Sequence, residues 1–147
     1  MRSPLLAAML ALAVLIPINA QAQNSVERPA VRRVIMAFAD GIHTGALGEI
    51  DQLFAPSGVH ILVDNEALHG WADFRAQLLE PETAGYSGLR YAHTGIETSL
   101  RGNIAWTAFR WQMSGSGETP APILGRATAV LEKIDGQWMI AHLHFSR

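Results

Sequence analysis

Apolar positions follow two rhythms along the chain. From Val26 to His43 they recur every three or four residues, at Val26, Ala30, Val31, Val34, Ile35, Phe38 and Ile42, which predicts a helix with one buried stripe. Pro29 is tolerable so near its start, and Glu27 suits the first turn. Ala46–Phe54 predicts a short second helix with Leu47, Ile50, Leu53 and Phe54 inward, ended by Pro56 and Gly58. The rhythm then changes. Val59–Asp64 is rich in β-branched residues and reads as a strand, with His60, Leu62 and Asp64 on one face and Ile61 and Val63 on the other. Asp64-Asn65 opens a turn, and Trp71–Leu79 reads as a third helix that stops before Pro81. Leu89–Ser99, Ile104–Met113, Ile123–Ile134 and the closing stretch are strand-like. Asp135-Gly136 between the last two is a strong hairpin signal. Helices followed by hairpin-linked strands predict an α+β domain, with helices on one face of a curved antiparallel sheet.

The first residues do not belong to that pattern. Met1-Arg2 is charged, Leu5–Ile16 is almost wholly apolar, Pro17 breaks the run, and Ala20-Gln21-Ala22 supplies small residues for cleavage. This is the layout of a secretory signal peptide over residues 1–22, leaving one domain over residues 23–147. The apolar run, about 12 residues, is short of the ~20 a spanning helix needs, so no membrane association is expected after cleavage. The expected location is periplasmic or secreted. With no cysteine, disulfides, thiol nucleophiles and cysteine metal sites are excluded, and stability rests on burial alone. With 11 basic residues against 13 acidic, and no basic run, no nucleic-acid partner is expected.

The helix leading into LFAPSGVHI, the HGWADF stretch, GRATAVLEKIDGQW and WMIAHLHFS together resemble the nuclear-transport-factor-2-like superfamily, which includes SnoaL-like polyketide cyclases and ketosteroid isomerases. The ending Trp138–Ser146, W-x-x-x-H-x-H-x-S, is also similar to the end of the association domain of calcium/calmodulin-dependent kinase. The resemblance implies a cone-shaped sheet around a pocket closed by helices, often dimeric. It implies no single reaction, because the superfamily holds isomerases, dehydratases, cyclases and non-catalytic assembly modules. Set against the kinase domain, its pocket arginines fall near Ala108 and Ala129, leaving Arg110 as the nearest replacement.

A two-residue turn at Asp135-Gly136 pairs Lys133 with Trp138, Leu131 with Ile140, Ala129 with His142 and Ala127 with His144. Trp138, Ile140, His142 and His144 would then line a cavity opposite small residues. Met139, Ala141, Leu143 and Phe145 would form a flat apolar face suited to a homodimer interface. A three-residue turn with a bulge would reverse the faces and put Arg126 beside His144. Elsewhere Trp106, Ala108 and Arg110 share a face against Thr107, Phe109 and Trp111, and Tyr91, His93, Gly95 and Glu97 share another.

Three functions fit the histidines. In the first, His142 or His144 is a general acid or base with Asp64 or His60 as partner. His60, Trp71, Trp106, Arg110 and Trp138 then contact a small, largely apolar substrate, and no cofactor is needed. In the second, the i, i+2 histidines begin a metal site whose third ligand would come from His60, His93 or Glu97, but nothing in the spacing supplies it, so no metal is assigned. In the third, the domain binds a ligand or assembles without catalysis. A hydrogen-bonded structural pair is the plain alternative to all three.

Overall fold

The computed structural model describes residues 18–117 and 121–147. Most of the expected leader lies outside the described residues. Helix α1 (Ile18–Thr44) starts before the apolar stripe does and runs through Pro29. Its inner residues Val31, Ile35, Phe38, Ala39 and Ile42 are buried, as their spacing predicts. Helix α2 (Leu47–Ile50) and a 3₁₀ turn (Asp51–Leu53) occupy the expected second helix. Strands β1 (His60–Val63) and β2 (Glu66–His69) form a hairpin about Asp64-Asn65. β2 is invisible to pattern reading because four residues, with only Leu68 buried, show no alternation.

The third helix does not stop at Pro81. Helix α3 (Trp71–Phe74) widens into a π-helical turn (Arg75–Leu79) and continues as helix α4 (Glu80–Thr83). Pro81 falls in the first turn of α4, where its missing N–H costs nothing. Four strands follow: β3 (Tyr86–Arg101), β4 (Ile104–Gly117), β5 (Ile123–Ile134) and β6 (Gln137–Ser146).

All six strands form one sheet in the order β2-β1-β6-β5-β4-β3. One pairing departs from the expected antiparallel run: β1 lies parallel to β6, with His60 beside His142 and Leu62 beside His144. β3 bends at two irregularities, one between Ser87 and Arg90 and one between Thr94 and Glu97. Gly95, at the second, has a φ of +60°, which residues with a side chain rarely adopt. These bends curl the sheet, and α1 lies in its concave face. Phe38 is the hub of the packing there, in ring contact with Phe54, Trp71, His93 and Phe145. A fully buried side chain of this size contributes about 1.5–3 kcal/mol.

The hairpin of β5 and β6 decides what faces the interior. Asp135 and Gly136 both have positive φ, and Ile134 pairs with Gln137, so the turn has the expected two residues. Leu131 duly pairs with Ile140. A bulge then intervenes: Val130 pairs with His142, leaving Ala141 without a counterpart. From there the faces exchange. Leu143 lies opposite Ala129 and Phe145 opposite Ala127, and both are buried. His142 and His144 emerge on the convex face, opposite Val130 and Thr128. The expected interior pairings of both histidines are therefore corrected, as is the flat apolar face assigned to Leu143 and Phe145. The bulge at Ala141 is the physical reason.

Candidate functional site

The residues singled out from sequence are split between the two faces. His60, Trp106, Arg110 and His144 are exposed on the convex face, with His142 partly covered beside them. Trp106 carries the Arg101 guanidinium over its ring. Burial of His142, and the nearby imidazoles of His144 and His60, hold its pKa below the usual value. Trp138 is buried against α1, where its Nε1 donates to Glu27 Oε2 at 2.6 Å beside the Lys133 ammonium. Those two donors, Lys133 first, hold the Glu27 carboxyl below its ordinary pKa. Trp71 is stacked on Phe54 in the core. Asp64 alone among the expected polar site residues stands at the opening of the concave side. Tyr91 and His93 share a face as expected. Glu97 does not join them, because the irregularity after Thr94 turns it outward beside Ala108.

The concave side encloses a small pocket. Phe74, Leu78 and Leu79 from the third helical segment form one wall. Tyr91 on β3, Trp111 and Met113 on β4, and Phe145 on β6 form the other. The ring of Phe74 stacks on Phe145, and that of Trp111 on Tyr91. Of the two tryptophans on β4 it is thus Trp111, not Trp106, that lines the interior. Strand alternation makes this choice, with Ala105, Thr107, Phe109, Trp111 and Met113 all buried. The open space is about 30 Å³, room for a water or two, so a larger guest requires the walls to part. The indole N–H groups of Trp111 and Trp71 and the hydroxyls of Thr107 and Tyr86 are buried without a hydrogen-bond partner.

Behind Tyr91, in the core rather than in the pocket lining, His93 is 4% exposed. Its Nδ1 lies 3.0 Å from the Ile35 carbonyl oxygen of α1, and its Nε2 lies 3.3 Å from the Tyr91 hydroxyl. A carbonyl can only accept, so Nδ1 carries the proton and donates it to Ile35. Nε2 is left as a bare lone pair that accepts from the Tyr91 O–H. Burial pushes the His93 pKa down to about 4, against the weaker opposing effect of the Ile35 carbonyl, so the ring is neutral at pH 7. Burial, and secondarily the Glu82 carboxylate, push the Tyr91 phenol up, so it remains a proton donor.

The opening is polar. Asp64 Oδ1 accepts from the Arg147 backbone N–H at 3.4 Å, and the Arg147 guanidinium donates to Glu82 Oε1. Both members of that ion pair are about a third or more exposed, so the pair is weak and easily parted. The π-helical turn at Arg75–Leu79 sits in the wall next to it. Tyr91, Glu82 and Arg147 carry no site reading in the sequence, and His93 enters there only as one possible third metal ligand. Tyr91-x-His93 carried the one usable signal, two polar rings in phase on a strand. Glu82 and Arg147 gave none, because only the fold brings them together.

A carboxylate at the opening and a phenol at an apolar floor can move a proton and hold a developing oxyanion. The sole imidazole in this arrangement has both nitrogens engaged, so the interior offers no ready set of metal ligands. No curated protein matches the chain in sequence. Solved structures do match in fold. One is a candidate scytalone dehydratase from Novosphingobium aromaticivorans, 16% identical, covering 85% of this chain and 86% of that one at a TM-score of 0.73. Another is a candidate ketosteroid isomerase from Shewanella frigidimarina, 22% identical, covering 80% and 94% at 0.67. A third is a nuclear-transport-factor-2-like superfamily protein from Salmonella enterica, 19% identical, covering 81% and 92% at 0.67. The SnoaL-like domain model matches residues 31–147, most of the sequence, and the chain belongs to that family.

Proposed function

We propose that the cone binds a small, largely apolar molecule and shifts a proton on it without a cofactor, in a reaction of the isomerase, dehydratase or cyclase type. The observation that carries this reading is the Tyr91 hydroxyl, held from behind on the bare Nε2 of a neutral His93, in an aromatic pocket whose opening carries Asp64. Asp64 takes a proton from a carbon next to a carbonyl. The electron pair moves onto the carbonyl oxygen, and Tyr91 turns its O–H from His93 to that oxygen. Return of the proton from Asp64 to another carbon completes an isomerisation; in a dehydration the enolate instead expels the hydroxyl on the next carbon, which takes the proton from Asp64 and leaves as water. Glu82 is less suited to the base role because Arg147 holds it. The names of the candidate dehydratase and candidate isomerase with the same fold support this class of chemistry.

The test uses 2-tetralone, a compact enolisable ketone, in D₂O. Binding is read from tryptophan fluorescence and α-carbon deuteration by NMR. Exchange above buffer, reduced about 10²-fold by Tyr91→Phe and by Asp64→Asn, is the expected result. Binding without exchange favours the second reading, a ligand-binding domain, which the small open volume and the engagement of Asp64 by Arg147 support. Absence of both binding and exchange overturns the proposal.

The proposal includes export and dimerisation. Export rests on residues 1–22, and a mature protein beginning at Gln23 by mass spectrometry tests it. Dimerisation rests on Ile104, Trp106 and Leu124, apolar yet exposed on the convex face, and sedimentation equilibrium tests it.

A further inference from the structure

The convex face gathers four of the chain's six histidines along one side of the sheet. β2, β1 and β6 are consecutive neighbours there. His60 on β1 lies directly opposite His69 on β2 and directly beside His142 on β6. Three imidazoles thus form a row across three strands, one strand spacing apart. His144 follows on β6, beside Leu62. The set is built not by the i, i+2 spacing along β6 but by the register of β1 and β2, which brings His60 and His69 into line with His142.

We propose that His60, His69 and His142 form a site for one divalent transition-metal ion of the zinc, nickel or copper class. The rings of His60 and His69 are 5.6 Å apart between centroids and inclined at 76°. Two imidazoles bound to one tetrahedral ion at roughly 2.1 Å per nitrogen have centroids roughly 5 Å apart, so this pair stands close to ligating geometry. As the rings now lie, no three His, Asp or Glu side chains among the described residues converge on a point that an ion could occupy. His60 and His69 are exposed and His142 is only partly covered, so binding would turn the three rings toward one point, His142 leaving its hydrogen bond to the His60 backbone. The backbone need not move, because strand pairing already aligns the three Cα positions. An all-nitrogen set selects borderline metals over calcium or magnesium. Three protein ligands leave a fourth position for water.

The site lies on the face of the sheet opposite the Tyr91–His93 pocket and does not depend on the function proposed for it. Its effect on the protein is mechanical: an ion there ties the short edge hairpin to the middle of the sheet.

The experiment is calorimetric titration of the full chain, free of any histidine tag and stripped with EDTA, using zinc and then nickel. One ion per chain with a Kd of about 10 µM or tighter is expected. His60→Ala should weaken binding about 100-fold, and His69→Ala and His142→Ala about 10-fold or more each. His144→Ala should change it less than about threefold. Zinc should raise the melting temperature of the parent chain and leave that of His60→Ala unchanged. Circular dichroism of each variant confirms that it folds, and a variant that does not is replaced by the Gln substitution. Absence of saturable binding, wild-type affinity in His60→Ala, loss of binding in His144→Ala alone, or half an ion per chain each overturns the site.

Discussion

His93 takes a proton much less readily inside the fold than in an unfolded chain, where its pKa is that of a free imidazole near 6.5. The folded pKa is the lower one, so the unfolded state binds more protons between the two values. Stability is therefore full above about pH 6.5 and falls as the pH drops toward 4. Across that window the loss amounts to roughly 3 kcal/mol from this one ring. His93→Asn, which can still donate to the Ile35 carbonyl, should flatten the acid limb of a stability curve measured by urea unfolding at several pH values. An unchanged slope would show that the ring is not held neutral. A second residue-scale expectation concerns Gly125, which pairs with Trp111 across β4 and β5. A Cβ there would lie 2.3 Å from the Ser146 carbonyl oxygen and 2.4 Å from the Trp111 indole. Gly125→Ala should cost about 1–3 kcal/mol in thermal or urea unfolding, because backbone and a wide ring must both give way.

Among the elements, α1 is fastened to the β5–β6 hairpin by Glu27, which takes hydrogen bonds from both Lys133 and Trp138. Glu27→Gln removes the charge that draws in Lys133 and should cost about 1–3 kcal/mol, read from chemical denaturation. The loss should shrink below the carboxylate pKa, because protonation removes the same interaction from the parent. Elements also show where the sequence was readable. β5 is legible as Ile123–Ile134 because alternation runs unbroken between two clear turns. The buried stripe of α1 was equally plain. The π-turn before Pro81 was not, since a widened turn leaves no compositional mark and proline reads as a stop. The bulge at Ala141 was the most consequential omission. Nothing in WMIAHLHFSR distinguishes an even strand from one carrying an extra residue, yet that residue moved two histidines from the expected pocket to the opposite face. The two-residue turn is legible in Asp135-Gly136; the register departs at Ala141, five residues beyond it.

For the whole molecule, fold class and family were legible because they follow from element order and from motifs spread over the chain. The candidate site was legible only in part. Asp64 sits in the turn that ends β1 and the Tyr91–His93 phase lies within one strand, both local features, whereas the meeting of Glu82 with Arg147 depends on closure of the whole cone. That closure is lightly held, and Arg147→Ala should speed entry of 2-tetralone in stopped-flow fluorescence while changing unfolding free energy by less than about 1 kcal/mol. The parallel seam between β1 and β6 bears on how the cone comes into being. β1 has its hairpin partner at once, but its other neighbour is made only after β3, β4 and β5. The seam joins residues far apart in sequence, a pairing that costs much loop entropy before it repays any. The meander of β3 to β6 can assemble from local hairpins, so the β1–β2 flap should dock last. In pulsed hydrogen exchange, amides of Ile61 and Val63 should gain protection after those of Phe109 and Leu131. Until β6, the last strand made, is in place, the β1–β2 hairpin and β5 each keep an open edge, so the closing strand covers two exposed edges in one step.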